Sequence, residues 1–463
     1  MSEAAERAGT AGTVEAADTV EAAETVTEAE LAAFHQVVGK LRALPVDDPV
    51  RLRAEQVAAS FARDGRLRRR KARGEEKSAA DAAVMAATAT GALDRREDAP
   101  LSAPGTGGVF RKPRHCYVCK SAYRQVDSFY HRLCPDCAAD HTRRRALSTD
   151  LTGRRALITG GRVKIGFQLA LMMLRDGAEV LVTSRFPHDT VRRFHTAPGS
   201  ETWRERLTVL AVDLRDPRQV LGLCEELRRE GRPLDVLVNN AAQTVRRPPE
   251  SYALLAGAEH DALPEGARPA PGFTPMRMLT GSTAALPAAL READEAGLLP
   301  DPSPENSWSA RLGGLDPAEV LETQLVNALA PALLCDRLLP LLLASPHPRR
   351  YIVNVTAVEG RFAVRNKTAG HPHTNMAKAA LNMLTRTSAT ELADQGVHMC
   401  AVDTGWITDE NPAPKKARMA GAGFRTPLDI VDGAARVYDP IVRGEAGDPV
   451  SGVFLKDYQE AAW

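Results

Sequence analysis

The sequence predicts an α/β fold, a doubly wound parallel sheet with helices on both faces. From Leu151 onward, short runs of Val, Ile and Leu alternate with segments of helical period, which is the pattern of a parallel sheet whose strands are buried on both sides. Upstream lie four closely spaced cysteines and a stretch of helical period. We therefore expect the sheet domain to follow a small metal-binding module and a helical, partly disordered N-terminal region.

Composition places the chain among ordinary globular proteins. Of its 463 residues, 44% are hydrophobic and 26% are charged, and this length allows two to four domains. The 60 Lys and Arg balance 59 Asp and Glu, so a net charge of +1 gives no whole-chain attraction to nucleic acid or to an anionic membrane. No apolar run approaches the roughly 18 residues that a membrane-spanning helix requires. The acidic first 30 residues do not resemble a leader sequence, which predicts a cytoplasmic protein.

The region before the cysteines divides into two parts. Residues 1–30 are rich in Ala, Glu and Thr and poor in bulky apolar side chains, which predicts a disordered acidic tail. Residues 31–110 are predicted to form a helical region and a linker, because apolar residues recur at helical spacing from Leu31 onward. The most basic run, residues 66–73, is explained by a solvated helix face, and contact with nucleic acid is the alternative.

Residues 148–463 are predicted to form the sheet domain. Strands are expected at 156–159, 180–183, 207–212, 236–239, 351–355, 398–402 and 452–455. Helices are expected at 167–175, 217–229, 319–343, 375–392 and 428–441. One connection is unusually long, since the proline-rich residues 246–318 separate the fourth strand from the next helix. Such a length predicts an inserted subdomain or a lid, which Trp308 would help to close, and a proline-rich spacer is the alternative.

Residues 111–147 are predicted to form a zinc-binding module of the zinc-ribbon type. Two C-x-x-C pairs, Cys116 with Cys119 and Cys134 with Cys137, are separated by fourteen residues. Each pair supplies two thiolates, and four thiolates complete the tetrahedron that zinc prefers. Such a closed site is structural and leaves no position for a catalytic water. The nearby histidines are expected at the surface or beside the ligands, and the basic residues that follow leave protein or nucleic-acid docking open as further roles.

The segment 154–166 reads as a strand, a glycine-bearing turn and the start of a helix. Backbone N–H groups at such a helix start bind phosphate, and glycines let the backbone approach it. Further motifs follow downstream, namely Asn239-Asn240-Ala241, Asn327 and Lys378. With these motifs in this order, the chain from about residue 151 to residue 458 resembles the short-chain dehydrogenase/reductase family, whose domain is a Rossmann fold.

The resemblance implies a nicotinamide cofactor and the residues that hold it. By position these are Thr159, Gly160, Gly161, Arg162, Lys164, Ile165, Gly166, Asp213, Asn240, Ala241, Lys378, Gly405 and Ile407. Arg185 joins this set because it ends the second strand, where a carboxylate would contact the ribose of NAD and an arginine favours the 2′-phosphate of NADP. We therefore expect NADP as the cofactor in preference to NAD.

Three positions depart from the family pattern. Lys164 stands at the middle glycine of the phosphate loop, Ala357 at the catalytic serine and Thr374 at the catalytic tyrosine. A threonine hydroxyl has a much higher pKa than a phenol, so the usual proton relay is altered. The catalytic candidates are therefore Asn327, Thr356, Thr374, Lys378 and His373, of which the histidine titrates near neutral pH. Solvated or purely structural roles are the alternative for each of them.

These observations predict a cytoplasmic NADP-dependent oxidoreductase with an atypical active site, acting on a small-molecule carbonyl or alcohol. The alternative is a catalytically silent protein that binds NADP(H) as a sensor or docks a partner. A nucleic-acid-associated protein that uses residues 66–73 and the zinc module is a third hypothesis. The resemblance also implies a possible homo-oligomer, whereas the substrate cannot be read from the sequence.

Overall fold

The computed structural model describes residues 25–101, 104–260, 262–276, 293–364 and 366–463. The first 24 residues of the predicted acidic tail, and residues 261 and 277–292 of the predicted insertion, lie outside the described residues. The chain divides into two compact units, with the boundary between Glu76 and Lys77. The cysteine module and the sheet therefore belong to the same compact unit.

The described residues form eleven strands and twelve α-helices. The strands are β1 Gly108–His115, β2 Ala122–Val126, β3 Arg155–Ile158, β4 Glu179–Ser184, β5 Leu207–Ala211, β6 Val236–Asn239, β7 Ala267–Pro269, β8 Arg350–Thr356, β9 Val397–Asp403, β10 Phe454–Lys456 and β11 Gln459–Ala461. The helices are α1 Glu28–Ala43, α2 Pro49–Ala86, α3 Pro135–Arg144, α4 Lys164–Arg175, α5 Pro187–His195, α6 Pro217–Glu230, α7 Ala253–Ala258, α8 Pro317–Gln324, α9 Ala330–Leu343, α10 Pro372–Asp394, α11 Ala413–Gly421 and α12 Ile430–Glu445.

The N-terminal unit contains α1 and most of α2. Helix α1 begins at a capping box, in which the Thr27 hydroxyl accepts from the Glu30 backbone N–H and the Glu30 carboxylate accepts from the Thr27 backbone N–H at 2.8 Å. It has no buried residue. The basic run 66–73 lies in α2 and is exposed throughout, as expected for a solvated helix face.

Nine strands of the described chain form one sheet in the order β11-β10-β9-β8-β6-β3-β4-β5-β7. Every neighbouring pair is parallel except β10 and β11. Because consecutive parallel strands need a crossover, helices lie on both faces. One apolar core includes Leu169 of α4 and Val437 of α12. The other includes Leu223 of α6 and Leu338 of α9, so the predicted parallel sheet of Rossmann type is confirmed.

All of the predicted strands and helices of the sheet domain are present, with ends that differ by a few residues. The predicted helix 319–343 is divided, because a π-helical segment, Leu325–Leu329, separates α8 from α9. Within the predicted insertion, β7 pairs with β5 at the sheet edge. This strand has three residues, one of them proline, and such a segment carries no detectable alternation of apolar and polar residues.

One described stretch, Pro317–Leu343, is long and apolar enough by composition to cross a membrane. Half of its most apolar window is buried within the protein. Leu334, Leu338 and Leu342 of this stretch are fully covered by the sheet and the neighbouring helices. Its apolar character is therefore explained by core packing.

The cysteine module is the β1–β2 hairpin followed by α3. Its apolar core contains Phe110, Tyr123, Tyr130 and Leu133, each at most 7% exposed. The same cluster includes Ile407 and Leu428 from the segment between β9 and α12, and Ile430, the first residue of α12. The module is thus packed against the sheet domain through a shared core.

Gly166 in the first turn of α4 tests how tightly the sheet edge is packed. A Cβ at this position would overlap the Gly160 carbonyl oxygen and lie 2.5 Å from Asn240 Nδ2. We expect Gly166→Ala to lower the free energy of unfolding by about 1–3 kcal/mol, the usual cost of overpacking, as measured by urea denaturation. Gly257→Ala is the control, because nothing lies within 4 Å of a Cβ there. Equal stabilities of the two variants would contradict this packing.

Candidate active site and cysteine cluster

A cleft of about 450 Å³ lies at the carboxyl ends of the parallel strands. Its walls come from the segments after β3, β4, β5, β6, β8 and β9. In open parallel sheets this edge is where ligands bind, because the loops that follow the strands converge there. The cleft therefore brings together residues that are as far apart in sequence as Gly160 and Thr408.

The glycine loop forms one wall. Gly160 has a φ of +68°, and a Cβ at Gly161 would lie 2.5 Å from Val182, so both positions require glycine. Lys164, the first residue of α4, has a φ of +53°. A side chain in this left-handed region costs roughly 1–2 kcal/mol. The backbone thus keeps the conformation of a glycine although the residue is a lysine that lines the cleft.

Thr159 and Asn240 connect the glycine loop to the segment after β6. The Thr159 hydroxyl accepts from the backbone N–H groups of Asn240 and Ala241, each at 3.0 Å. Asn240 Nδ2 donates to the carbonyl oxygens of Thr159 and Gly160 at 3.0 and 3.1 Å. These two side chains therefore fix the loop, while Gly160 and Ala241 face the cleft.

The arginine of the glycine loop is paired within the protein. Arg162 Nη1 donates to Asp189 Oδ2 and to the Ala296 carbonyl, both at 2.7 Å. Burial lowers the pKa of Arg162, while Asp189 acts in the opposite direction. Arg193 contacts the same carboxylate at 2.6 Å. The charge of Arg162 is thus largely neutralised beside the cleft.

Arg185 lies in the cleft at the end of β4, as predicted. Its guanidinium lies 5.3 Å from the ring centre of Tyr252 and 5.6 Å from that of Phe186. It makes no hydrogen bond or ion pair with any residue that the structure describes. By contrast, Asp213 pairs with Arg215 at 2.6 Å, and this pair holds the pKa of Asp213 below its usual range although burial opposes it.

Lys378 of α10 is buried and lines the cleft. Its Nζ donates to the Val355 carbonyl at 2.9 Å. Burial lowers the pKa of Lys378 to about 8, and Glu359 opposes this shift. A lysine in this state changes its protonation near neutral pH, which suits it to hold or to supply a proton.

The start of α10 and the end of β8 carry buried polar groups with no hydrogen-bond partner among the described residues. They include the hydroxyls of Thr356 and Thr374, both ring nitrogens of His373 and the side-chain oxygen of Asn375. Thr356 lines the cleft, whereas Thr374 and His373 lie behind its wall. Burial lowers the pKa of His373. Buried polar groups are rarely left without partners, so the Thr356 hydroxyl, which lines the cleft, is suited to bind a polar ligand.

Asn327 serves the loop after β6. It lies in the π-helical segment, where its Oδ1 accepts from the Gln243 N–H at 2.7 Å and its Nδ2 donates to the Gln243 carbonyl at 2.9 Å. Both ends of the amide are therefore used to hold the backbone of a residue that lines the cleft.

The segment after β9 closes the cleft from the other side. Gly405 has a φ of +82°, and its N–H donates to Asp403 Oδ1 at 2.8 Å. Ile407 is buried in the core of the cysteine module and does not line the cleft. Sequence reasoning missed Thr404, Thr408 and Glu410, which do line it. No motif marks them, because only the turn after β9 brings them to the cleft.

Part of the predicted insertion covers the start of α10. Trp308 stacks on His371 with ring centres 3.8 Å apart, and the His371 backbone N–H donates to the Ala310 carbonyl at 2.8 Å. Asn306 Nδ2 donates to the Glu410 carbonyl at 2.9 Å. This segment thus connects α10 to the segment after β9, above the buried polar groups.

The four clustered cysteines converge as the spacing predicts. The Sγ atoms of Cys116, Cys119, Cys134 and Cys137 all lie within 4.8 Å of one another, and those of Cys119 and Cys134 are 3.6 Å apart. Tetrahedral zinc with Zn–S bonds of about 2.3 Å requires S–S separations of about 3.8 Å. The donor set and spacing therefore fit a four-coordinate metal.

The histidines of the module have other partners. His131 Nδ1 lies 2.8 Å from the Thr90 hydroxyl, and His115 Nδ1 lies 2.9 Å from the Lys120 carbonyl. His141 lies between the Cys137 carbonyl and Arg436 at 2.8 Å from each. These contacts place the histidines beside the cysteine cluster, outside its group of metal-binding atoms.

Several known proteins resemble this chain. A short-chain dehydrogenase from Burkholderia cenocepacia, solved with NADP, covers 66% of this chain and 97% of its own at 22% identity and a TM-score of 0.45. The carbonyl reductase Sniffer of Drosophila melanogaster covers 67% of this chain and 100% of its own at 18% identity and a TM-score of 0.44.

Proteins found by sequence comparison share a higher identity with this chain than these two structures do. An uncharacterized protein of Acanthamoeba polyphaga mimivirus is 31% identical over 349 residues, which is 71% of each chain. The C-signal protein of Myxococcus xanthus is 32% identical over 126 residues, 27% of this chain and 74% of its own. The family model for short chain dehydrogenases matches residues 154–255, and that for enoyl-(acyl carrier protein) reductases matches residues 303–422. The chain therefore belongs to the short-chain dehydrogenase/reductase family of oxidoreductases.

Proposed function

We propose that this protein is an NADP-dependent oxidoreductase that reduces a small carbonyl or oxidises the corresponding alcohol with an atypical active site. The observation that carries the proposal is one cleft lined by the buried Lys378, by Thr356 and by the glycine loop. The Thr356 hydroxyl has no hydrogen-bond partner among the described residues. A site of this composition offers phosphate binding and proton transfer in one place.

The cleft fits a dinucleotide. A Cβ at Gly160, Gly161 or Gly166 would lie within 3 Å of Ala241, Val182 or the Gly160 carbonyl oxygen, respectively. The loop can therefore keep the tight glycine turn that a pyrophosphate-binding loop of this kind needs. Lys164 adds a cation at the start of α4. Arg185 makes no hydrogen bond or ion pair with the described residues. It lies at the strand end that distinguishes the two cofactors and would bind the 2′-phosphate of NADP. The bound nicotinamide supplies or accepts the hydride, while the protein orients the substrate and supplies the proton.

The proton is assigned to groups of this chain other than a phenol. The Thr356 hydroxyl would donate a hydrogen bond to the substrate oxygen. Lys378 would hold the ribose and supply the proton through a hydroxyl chain, because its pKa of about 8 permits both protonation states near neutral pH. Thr374 and His373, which do not line the cleft, would hydrogen-bond to the groups that pass the proton. Asn327 would hold the backbone of Gln243.

A sensor without turnover is the second candidate. It is favoured by Ala357, which has no hydroxyl to bind a substrate oxygen, and by the hydroxyl of Thr374 in place of a phenol. In this case the same cleft binds NADP(H) and changes the interaction with a partner.

We further propose that the cysteine cluster binds one structural zinc ion. Thiolates at this spacing close the coordination shell, so zinc would link the turn of the β1–β2 hairpin to the start of α3. The proposed parts are 1–30, 31–110, 111–147 and 148–463, although β1 of the module begins at Gly108, before the third part. The proposed protein is cytoplasmic, with a homo-oligomer as one state open to test. Docking of protein or nucleic acid by the zinc module, with residues 66–73, remains the least supported role.

Cofactor choice tests the role of Arg185. We expect Arg185→Ala to raise the Kd for NADP at least tenfold, because a charged hydrogen bond to phosphate is lost, and to leave the Kd for NAD unchanged. Titration calorimetry with both cofactors is the measurement. Arg204→Ala is the control, since Arg204 is exposed and pairs with the adjacent Glu205. Tighter binding of NAD by the wild type would refute the proposed cofactor.

The role of Lys378 is tested by turnover and its pH dependence. Lys378→Met should reduce NADPH oxidation against a panel of carbonyls by at least about 100-fold, because ribose binding and proton supply are both lost. In the wild type, kcat/KM should fall as the pH rises through about 8, where the lysine loses its proton. Lys367→Met is the control, since Lys367 lies outside the cleft.

The free energy of unfolding of Lys378→Met distinguishes a catalytic role of Lys378 from a structural one. The pKa of folded Lys378 is depressed, so the unfolded chain binds more protons between about pH 8 and the ordinary lysine value. The buried charge therefore destabilises the fold below about pH 8, and this cost is relieved as the pH rises. Lys378→Met should accordingly be at least as stable as the wild type at pH 7. NADPH binding without turnover on any carbonyl would favour the sensor instead.

Metal analysis tests the zinc site. We expect about one zinc per purified chain, and less than half an equivalent in Cys116→Ser/Cys134→Ser, because each pair would lose a ligand. Cys224→Ala is the control, since Cys224 is buried in the core between the sheet and α6, away from the cluster. An unchanged zinc content in the double variant would remove the proposal.

A further inference from the structure

The segment after β9 lies between the cofactor cleft and the cysteine module. Thr404 and Thr408 line the cleft. Between them, the Trp406 backbone N–H donates to the Tyr117 hydroxyl at 3.0 Å, and Ile407 is buried in the core of the module. This short turn therefore contacts the module through its middle and the cleft on either side of it.

Tyr117 belongs to the first C-x-x-C pair, where it follows Cys116 directly. Its backbone N–H donates to the Arg132 carbonyl at 2.8 Å, and its ring lies 5.7 Å from the ammonium of Lys456. The Lys456 ammonium in turn lies 3.2 Å from the carboxylate of Asp403, which is the last residue of β9. The position of the Tyr117 hydroxyl is thus set by the cysteine turn on one side and by the sheet on the other.

The module also holds the far end of the same segment, where α12 begins. The Tyr130 hydroxyl donates to Asp432 Oδ1 at 2.6 Å, and Arg145 contacts Asp429 at 2.5 Å. His141 Nε2 lies 2.8 Å from Arg436 Nη2. Both ends of the segment that closes the cleft are therefore attached to one small module.

A metal at the four cysteines would determine how rigid this attachment is. Cys116 and Cys134 are buried in the same cluster as Ile407 and Leu428. The hairpin turn and the start of α3 are separate elements of this shared core, so a metal bound by both would restrict their motion relative to each other. Loss of the metal would free the turn that carries Tyr117.

We propose that the metal-loaded cysteine cluster sets the cofactor affinity of the cleft, and that Tyr117 is the positioning residue which transmits this effect by holding the backbone at Trp406. The inference rests on the proposed function, because it assumes that the cleft binds NADP(H). It assigns the cysteine module a part in cofactor binding beyond its own stability. No contact between the metal and the cofactor is required.

Tyr117→Phe tests the hydrogen bond to Trp406. We expect the Kd and the KM for NADPH to rise about fivefold, the effect of one lost hydrogen bond, with kcat within twofold because binding is weakened equally throughout the reaction. Hydrogen exchange in residues 404–411 should accelerate while zinc content stays at the wild-type level. Tyr123→Phe is the matched control, since this buried phenol of the same module donates to the His131 carbonyl.

Removal of the metal tests whether the metal-loaded cysteine cluster sets the cofactor affinity of the cleft. After chelation of the full chain, we expect faster exchange in residues 404–411 and weaker NADPH binding, with protection of β3, β6 and β8 retained. Unchanged exchange at 404–411 in both Tyr117→Phe and the chelated protein would overturn the proposal. If the wild type does not bind NADPH, the proposed function fails, whereas exchange at 404–411 still decides whether the module positions this segment.

Discussion

The burial of a parallel sheet on both faces is the constraint on which the other features depend. Parallel strands cannot be joined by hairpins, so each requires a crossover, and the crossover helices cover both faces. Ala156 and Ile158 of β3 and Val238 of β6 are accordingly fully buried. The carboxyl ends of the parallel strands then lie at one edge, and the polar residues that follow several of them meet there. The cleft is therefore a consequence of the sheet topology.

Two of the arginines that line the cleft are paired with carboxylates of the protein. Arg162 is held by Asp189, and Arg215 is held by Asp213. An arginine in such a pair keeps its charge but has little left to attract a phosphate. Arg185 differs because its guanidinium lies over the rings of Phe186 and Tyr252 and makes no ion pair within 4 Å among the residues that the structure describes. In the proposed function, cofactor selectivity would therefore depend on an arginine that is not held by a carboxylate.

The cysteine module and the sheet form one packed structure, not two domains joined by a linker. Ile407 and Leu428 contribute to the core of the module, and a Cβ at Gly405 would lie 2.7 Å from Leu428. This close packing explains why a glycine with positive φ occupies the turn after β9. It also explains why Ile407, expected beside the cofactor, faces the module: its apolar side chain is more stable in the shared core.

The sequence by itself determined the sheet, its main helices and the cysteine cluster, because each rests on a local pattern: apolar runs that alternate with helical period, and two C-x-x-C pairs. It also identified Gly160, Arg185 and Lys378, which do line the cleft. Only the tertiary structure decided that Arg162 pairs with Asp189, that Asn327 holds Gln243, and that Thr404, Thr408 and Glu410 complete the cleft. These depend on side chains that meet across long sequence separations, where neither spacing nor composition carries a signal.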